Sequence, residues 1–384
     1  MTVGAVDRPA NSWPNAGAYA TAARAPDEFF VDALFRSAEL RKSPLGIPLP
    51  ATGRNAVVFK ATGADGNDLA LRCFTNPPLE GRERYHRISS RLRALALPLF
   101  PGVNWNDEAV EVDGERWPML DMDWVEGLTL DQWVTEALGD PVRLRGLADE
   151  WVTMCHVLED NMIGHGDLQH GNVLVDGDDQ LHLVDLDGIW IPSLAELPAG
   201  EFGHTHYQHP GRIKSRPWGP RVDGFSALVI HLSLVALAHD PELWERHNDG
   251  GNNLIFSADD FGDLDSTLWQ ELAAMPVQVS AASRRLTQAC TLPCEKLVGP
   301  VDMLDLEAEI TVTPMPEWLN ATVQARSQPA AALDEAGIRA ALPAPPVPAA
   351  QLVETSHPSG VPIWLAAVMV ALAVVMVVVA LVAL

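Results

Sequence analysis

Two short stretches of this chain carry side chains that could move a phosphoryl group. In the first, His165-Gly-Asp-Leu-Gln-His-Gly-Asn172, Asp167 can accept the proton of an attacking hydroxyl. Asn172 follows five residues later, and Asp185 lies in the second stretch, Val184-Asp-Leu-Asp-Gly188. An amide oxygen and a carboxylate are ligands of the kind that hold Mg²⁺ beside substrate phosphates. The spacing therefore predicts a site for phosphoryl transfer from Mg-ATP.

The residues between Asn172 and Asp185 predict the element that brings the two side chains together. Residues 173–175 and 181–184 have the composition of short strands, and residues 176–179 have that of a tight turn. A hairpin of this kind returns the chain on itself. Asp185 is therefore expected beside Asn172.

With these spacings the chain resembles the protein kinase superfamily, whose catalytic loop reads H-R-D-L-x-x-x-N and whose metal-binding motif reads D-F-G. The resemblance implies an α+β, two-lobed kinase-like fold with a small β-rich N-lobe and a larger helical C-lobe. It also implies the cofactors ATP and Mg²⁺. Asp167, Asn172 and Asp185 would be the catalytic residues, and Asn172 and Asp185 the metal ligands.

Further segments lie in the kinase order and extend the resemblance over residues 46–310. They are the nucleotide-covering loop at 51–60, the third strand at 69–74, the hinge between lobes at 118–127, the end of an activation segment at 203–210 and the helix that anchors the catalytic loop at 223–230.

The resemblance assigns a nucleotide-binding role to positions on several of these segments. The residues expected to contact ATP are Gly53, Val58, Ala70, Arg72, Glu83, Met122, Asp123, Val125 and Leu174. Four apolar side chains of this set would enclose the adenine: Val58, Ala70, Met122 and Leu174. The backbones of Asp123 and Val125 would hydrogen-bond the adenine edge. Glu83, or alternatively Glu80, would hold Arg72 from a helix expected at residues 79–97.

Several positions depart from the kinase pattern. Arg72 stands where a phosphate-binding Lys is usual, and the change is not conservative, because Arg is a planar fork and Lys a compact point charge. Lys60, in the preceding strand, is an alternative source of positive charge. Gly166 replaces the Arg before the catalytic Asp, Gln169 replaces a Lys that often touches the γ-phosphate, and Gly211 replaces a Glu.

Composition limits the possible partners. The chain has 51 acidic and 26 basic residues, a formal charge of −25, so long-range electrostatics would repel nucleic acid. Protein substrates are the partners that the resemblance implies. The four cysteines, Cys73, Cys155, Cys290 and Cys294, indicate no disulfide framework in a chain of this size.

A second signal is an uncharged stretch of 24 residues at 361–384. As a helix it would be about 36 Å long, which is enough to cross a hydrocarbon core of about 30 Å. We therefore expect a transmembrane helix in the lipid bilayer, with the domain that uses ATP in the cytoplasm. Ala367 and Ala371 form a small-xxx-small pair, which permits self-association.

The remaining segments complete the predicted domain order: an N-terminal extension at 1–45, the N-lobe at 46–125, the C-lobe at 126–320 and an Ala/Pro-rich linker at 321–360 ahead of the transmembrane helix. In the extension, a set of apolar side chains at helical spacing is expected to pack on the fold: Phe29, Phe30, Leu34 and Phe35. Further helices are expected at 141–163, 223–238, 264–275 and 279–291.

Three functions are compatible with this sequence. The first is a membrane-tethered protein kinase that acts on Ser or Thr, and the second is a pseudokinase scaffold. The third is a small-molecule phosphotransferase, because HGDLxxGN also resembles the aminoglycoside and choline phosphotransferases. The segment 203–210 and the helix at 223–230 favour the protein-kinase branch. Within it, the intact Asp167, Asn172 and Asp185 favour an active enzyme, whereas Arg72 and Gly211 favour the pseudokinase.

The histidines at 204, 206 and 209 suggest a different metal site, because an HxH pattern on a strand can chelate zinc. No carboxylate or cysteine completes an obvious ligand set near them. The kinase resemblance favours magnesium at Asn172 and Asp185 instead.

Overall fold

An antiparallel sheet of six strands precedes the helical part of the protein in the computed structural model, which describes residues 13–307. The strands are β1 (Glu39–Leu40), β2 (Ala51–Thr52), β3 (Ala56–Thr62), β4 (Asp68–Phe74), β5 (Val103–Val112) and β6 (Glu115–Asp123). Their order is β1-β3-β4-β6-β5, with β2 also paired to β3. Asp113 and Gly114 join β5 to β6 with φ angles of 53° and 77°, the conformation of a two-residue hairpin turn.

One face of this sheet is covered by the N-terminal extension, which contains α1 (Ala16–Ala22), α2 (Pro26–Phe29) and α3 (Ala33–Arg36). Tyr19 of α1 is buried, and its hydroxyl donates a 2.8 Å hydrogen bond to Phe74 O. Three of the four predicted apolar contacts are confirmed, since Phe29, Phe30 and Phe35 are buried. The prediction for Leu34 is wrong: it is 62% exposed, because the single turn of α3 directs Phe35 inward and Leu34 outward.

The other face of the sheet packs against α4 (Gly81–Leu95), which corresponds to the helix predicted at 79–97. The spacing of Tyr85, Ile88, Leu92 and Leu95 predicts that these side chains face inward; the first three are buried and Leu95 is half-buried. The Tyr85 ring lies nearly parallel to that of Trp105 in β5, with 6.1 Å between ring centroids. This contact holds the N-terminal half of α4 against β5.

Helices are the main regular structure of the described residues after β6. They are α5 (Leu130–Ala137), α6 (Pro141–Asp160), α7 (Arg212–Ser215), α8 (Gly224–Leu237), α9 (Glu242–His247), α10 (Thr267–Ala273), α11 (Val277–Thr291) and α12 (Pro300–Leu304). Helix α8 is buried along its length and packs against α6, where Trp151 Nε1 donates a 3.0 Å hydrogen bond to Ala227 O. Helices α6, α8, α10 and α11 confirm the four that the sequence predicts in this part.

A small antiparallel sheet lies at the start of the helical part, in the order β7 (Leu128–Thr129), β8 (Val173–Val175) and β9 (Leu181–Leu183). Strands β8 and β9 confirm the predicted hairpin. Its turn is closed by a hydrogen bond from Asp179 N to Asp176 O at 3.1 Å, with Asp179 in the left-handed conformation.

The small β-rich part and the larger helical part together form the two-lobed α+β architecture that the resemblance implies. Within residues 13–307, no helix is both long enough and apolar enough to cross a bilayer. The first residues of the extension, the end of the predicted C-lobe, the linker at 321–360 and the transmembrane helix at 361–384 lie outside the described residues. The four cysteines are free thiols.

Candidate active site

The loop at 164–172 is anchored by the carboxylate of Asp223, which precedes α8 and is 1% exposed. Asp223 accepts hydrogen bonds from the backbone N–H groups of His165 and Gly166, the latter at 2.8 Å. Burial raises the pKa of Asp223, while the charge of His165 and these two hydrogen bonds oppose the rise. His165 Nε2 lies 3.0 Å from Val184 O, which joins the loop to the end of β9. The helix at 223–230 therefore anchors this loop, as predicted.

Gly166 is required by the backbone of the same loop. Its φ is +82°, and a Cβ at this position would lie 2.2 Å from Gly188 O. Any other side chain would meet both backbone strain and a clash with the loop that follows Asp185. The close approach of the two loops explains why the Arg of the kinase pattern is absent here.

Asp167 is held in one orientation by hydrogen bonds to both of its carboxylate oxygens. Asn172 Nδ2 donates to Asp167 Oδ2 at 2.9 Å, and the backbone N–H of His204 donates to Oδ1 at 2.7 Å. The side chain is buried, with the residue only 8% exposed. Because Asn172 directs its Nδ2 toward Asp167, its Oδ1 points away from that carboxylate.

The hairpin β8–β9 brings Asp185 beside Asn172, as predicted. Val184 N donates a 3.0 Å hydrogen bond to Asn172 O, and Asp185 follows in a left-handed conformation with φ of 58°. Asp185 Oδ1 is buried and accepts no hydrogen bond within residues 13–307, although 38% of the side chain is exposed. Burial raises the pKa of this carboxyl, and the charge of Arg72 opposes the rise.

Arg72 extends from β4 to two acidic residues of the loop after β9. Its Nη1 lies 3.0 Å from Asp185 Oδ1, and its two terminal nitrogens donate to both oxygens of Asp187 at 3.1 and 2.6 Å. Tyr85 of α4 accepts from Arg72 Nη1 at 3.2 Å and donates a short hydrogen bond to Asp187 Oδ1. Burial would lower the pKa of Arg72, but the charges of Asp185 and Asp187 contribute to a net rise well above its ordinary value.

The predicted ion pair between Arg72 and a glutamate of α4 is wrong. Glu83 lies 2.6 Å from Arg87 Nε instead, and 54% of its side chain is exposed. Successive residues of a helix are about 100° apart, so Glu83 and Tyr85 project from nearly opposite faces. Tyr85 occupies the face toward Arg72. The alternative, Glu80, precedes the helix in a left-handed conformation, and the hydrogen bonds of Arg72 go to Asp187 and Tyr85.

Lys60 does not contact the acidic residues of the site. Its Nζ lies 2.9 Å from Asp68 and 3.0 Å from Glu126, and it sits 4.6 Å from the centroid of the Trp124 ring. The alternative source of positive charge that the sequence offers is therefore paired with two carboxylates outside the site. Arg72 is the basic side chain that contacts Asp185.

Three of the four residues expected to enclose adenine lie on the same face of the sheet as Arg72. Val58 is paired with Arg72 across β3 and β4, and Ala70 is paired with Met122 across β4 and β6. Opposed residues, and residues two apart in one strand, project from one face of a sheet. Leu174, the fourth, lies on β8 and is half-buried. Their contact with ATP stays a prediction.

The remaining predicted ATP contacts lie in connecting segments. Gly53 is in the exposed turn between β2 and β3, where its N–H donates to Ala56 O at 2.9 Å. Asp123 ends β6, and its N–H donates to Gly102 O at 3.1 Å. The Asp123 carbonyl and the backbone of Val125 are therefore the groups left to meet an adenine edge.

Glu201 is a further carboxyl group of the site, which the sequence does not identify. Its Oε1 is buried and has no hydrogen-bond partner in the described part of the chain. It packs against Gly188, where a Cβ would lie 3.1 Å from Oε1. Burial, reinforced by the charges of Asp185 and Asp167, raises the pKa of Glu201 to about 9. Glu201 therefore carries a proton at neutral pH.

Sequence reasoning also missed the roles of Tyr85 and Asp187. A signal for Asp187 was present, because the motif at 184–188 contains one more acidic residue than D-F-G and occurs together with the unusual Arg72. Nothing in the sequence singles out Tyr85 from the other apolar positions of α4. Glu201 lies in a segment with no motif of its own.

The histidines after residue 203 make hydrogen bonds within the protein. His206 Nδ1 accepts from Ala258 N at 2.8 Å, and His209 Nδ1 accepts from Gly211 N at 2.9 Å. His204 Nδ1 lies 3.4 Å from the N–H of His206. Across residues 13–307, no group of three or more His, Cys, Asp or Glu side chains is arranged to hold a metal ion. The geometry gives the zinc alternative no support.

Asn172 and Asp185 suit a magnesium ion that is shared with substrate phosphates, and they are too few to enclose a metal ion by themselves. Mg²⁺ usually takes one or two protein carboxylates and completes its shell with water and substrate phosphates. Asp185 Oδ1, buried without a hydrogen-bond partner in the described residues, and Asn172 Oδ1, directed away from Asp167, are the oxygens that could serve. Two protein ligands leave positions on the ion that water and substrate phosphates can fill.

Comparison with known proteins finds a distant similarity to protein kinases. No protein-family model matches the chain. Over 173 residues it is 22% identical to the SNF1-related protein kinase catalytic subunit alpha KIN12 of Arabidopsis thaliana; this match covers 45% of the chain and 35% of the plant protein, so the chain spans about a third of that relative's length. A solved structure, that of the Cydia pomonella granulovirus kinase PK-1, matches with a TM-score of 0.44 and 16% identity over 65% of this chain and 87% of the viral one.

Proposed function

We propose that this chain is a membrane-anchored protein kinase that transfers the γ-phosphate of ATP to Ser or Thr hydroxyls of protein substrates. The observation that carries the proposal is the orientation of Asp167 next to Asn172, Asp185 and Arg72. The distant similarity to a plant kinase supports the coarser description of a protein-kinase-like phosphotransferase.

Asp167 would accept the proton of the attacking hydroxyl. Its two hydrogen bonds from Asn172 and His204 fix the carboxylate in a single orientation, and a base must be within hydrogen-bond reach of the proton that it removes. Asp223 holds the backbone that immediately precedes Asp167, through the N–H groups of His165 and Gly166. Positioning of this kind accounts for most of what a protein contributes to phosphoryl transfer.

Asn172 and Asp185 would hold Mg²⁺, which neutralises charge on the β- and γ-phosphates when it is bound. Arg72 is the side chain of this chain that would contact the phosphates directly, because it lies beside Asp185 and presents a planar donor group. Val58, Ala70, Met122 and Leu174 would form the apolar surfaces on either side of the adenine.

A protein substrate is favoured over a small molecule by the segment at 203–210, which resembles the end of a protein-kinase activation segment. Gln208 Nε2 donates to Ser226 Oγ at 3.1 Å, and His209 Nε2 lies 3.2 Å from Ala289 O. These contacts fasten the segment to α8 and α11 and leave it next to Asp167. We further propose that residues 361–384 place the kinase-like domain at the cytoplasmic side of a bilayer.

The test is transfer of radiolabelled γ-phosphate from ATP, with the full-length chain in detergent and a cell-extract protein pool as acceptor. Wild type should label Ser or Thr residues, and Asp167→Ala should lose about 10²-fold or more in turnover while it retains ATP affinity, because the base faces the acceptor. Asp178→Ala, an exposed aspartate in the β8–β9 turn, is the matched control and should keep wild-type turnover.

The pseudokinase alternative also has an observation in its favour, the 3.0 Å contact between Arg72 Nη1 and Asp185 Oδ1. A guanidinium that never left this carboxylate would compete with a metal ion for it. ATP binding without transfer to any acceptor in the assay above would support that alternative. Equal labelling by wild type and Asp167→Ala would contradict the assignment of the base.

A further inference from the structure

Arg72 lies between two carboxylates, but it donates hydrogen bonds to only one of them, that of Asp187. Both oxygens of Asp187 accept hydrogen bonds from its terminal nitrogens, at 3.1 and 2.6 Å. Asp185 Oδ1 lies 3.0 Å from Nη1 but accepts no hydrogen bond in the described residues. The guanidinium therefore forms a bidentate pair with Asp187, and its interaction with Asp185 is a charge–charge contact without a hydrogen bond.

Asp187 is itself held in place from α4. The hydroxyl of Tyr85 donates to Asp187 Oδ1 and accepts from Arg72 Nη1 at 3.2 Å, so the three side chains form a closed set. Tyr85 is 1% exposed and its ring packs against Phe74 and Trp105, which leaves the hydroxyl little room to move. Helix α4 thus contributes Tyr85 to the site, and Tyr85 contacts Arg72 and Asp187. Glu83, on the same helix, faces away from the site.

On the basis of the proposed function, we infer that Asp187, held by Tyr85, is a positioning residue that keeps the Arg72 guanidinium oriented toward the cleft and limits its hold on Asp185. Arg72 has only 8% of its side chain exposed, and a buried guanidinium must find an acceptor. Without Asp187, the acceptor that remains 3.0 Å away is Asp185. A full Arg72–Asp185 pair would occupy the oxygen proposed for Mg²⁺.

The inference predicts a specific defect in Asp187→Asn. The variant keeps the shape of the side chain but loses its charge and one of its two acceptor oxygens. Arg72 should then shift onto Asp185, so Mg²⁺-dependent nucleotide affinity should fall by at least about tenfold. Removing Arg72 as well should abolish the competition, so Asp187→Asn should have no additional effect on that affinity in an Arg72→Ala background.

The experiment is isothermal calorimetry of Mg²⁺-ADP binding to the full-length chain, with thermal melting of each variant in parallel. The set is wild type, Asp187→Asn, Arg72→Ala, the double variant, and Glu83→Gln as a matched control on α4. We expect Asp187→Asn to weaken binding only when Arg72 is present and to raise the Mg²⁺ concentration needed for half-saturation. Glu83→Gln should bind as wild type does.

A second variant keeps the test decisive if Asp187→Asn does not fold. Tyr85→Phe retains the buried ring and removes only the hydroxyl, and it should raise the Mg²⁺ requirement in the same direction by a few-fold. If Asp187→Asn and Tyr85→Phe both bind with wild-type Mg²⁺ dependence, or if Asp187→Asn weakens binding equally with and without Arg72, the positioning role is overturned while the proposed function stands. Failure of wild type to bind Mg²⁺-ADP would instead overturn both.

Discussion

At the scale of single residues, the choice of Arg at position 72 makes sense only together with its acceptors. A lysine ammonium is a point charge, whereas a guanidinium offers donors in a plane that suits a carboxylate fork. Asp187 supplies that fork, and the Tyr85 hydroxyl bridges it to Arg72. Arg72 in place of Lys and Asp187, the additional acidic residue of the motif at 184–188, therefore belong together, because each is the hydrogen-bond partner of the other.

Glu201 leads to a prediction about pH at the same scale. Its pKa is raised to about 9 from an ordinary value of 4.5, so the folded protein binds one proton more than the unfolded chain between these two pH values. Stability from this group is fully present below pH 4.5 and is lost as the pH rises through about 9. The slope can approach about 1.4 kcal/mol per pH unit within that window.

Glu201→Gln removes this titration, so the unfolding free energy of the variant should decline less than that of wild type between pH 6 and 9. This range lies below the Glu201 pKa of about 9, where the folded protein still holds the extra proton. Urea unfolding at several pH values measures this, and Glu196→Gln, a glutamate on the exposed side of the same segment, is the control. Parallel pH profiles for wild type and Glu201→Gln would show that Glu201 ionises normally.

At the scale of elements, the catalytic loop depends on the residue that begins α8. Asp223→Ala would leave the buried N–H groups of His165 and Gly166 without their acceptor. We expect a loss of about 3 kcal/mol in unfolding free energy, because each unsatisfied buried donor costs about 1–3 kcal/mol. Asp223→Asn keeps one acceptor oxygen and should lose less. Urea unfolding tests both, with Asp178→Ala as control, and an Asp223→Ala loss within error of the control would contradict the anchoring role.

The elements were predictable where the signal is local. The β8–β9 hairpin follows from its turn residues, helices α4 and α6 follow from the periodicity of their apolar positions, and α8 follows from a continuous apolar run. The partner of Arg72 was not predictable, because it depends on how the loop after Asp185 bends back to meet β4 and α4. The spacing of apolar residues in α4 predicts that Tyr85 faces inward, but it does not predict that the Tyr85 hydroxyl meets Arg72 or that Glu83 pairs with Arg87 instead.

Gly166 shows the same limit in another form. Its sequence context reveals that the usual Arg is missing, and the reason is a contact with Gly188 O, a residue 22 positions further along the chain. Glu201 likewise owes its raised pKa first to burial and then to carboxylates that come from two different loops. A single sequence does not show which residues of distant segments come into contact, and both of these features depend on such contacts.

At the scale of the whole molecule, the formal charge of −25 bears on how the protein could reach a membrane. A strongly acidic domain is repelled by anionic lipid, so electrostatic adsorption is an unfavourable route. The uncharged residues 361–384 have no polar face, which distinguishes them from an interfacial amphipathic helix. Insertion across the bilayer is thus the proposal that fits both features of the sequence.

Full-length protein should therefore remain in the membrane pellet after high-salt and carbonate washes, and a chain that ends at Gly360 should be found in the supernatant. Two lysines near the middle of the stretch, Leu372→Lys with Val375→Lys, should release the protein, because each central charge costs about 2.5–3.5 kcal/mol on insertion scales. Ala366→Leu, which keeps the stretch apolar, is the control and should stay in the pellet. Release of wild type by either wash would show that residues 361–384 do not span the bilayer, because a spanning helix survives both treatments. Retention of the double-lysine variant would show that something other than this apolar stretch holds the protein in the pellet.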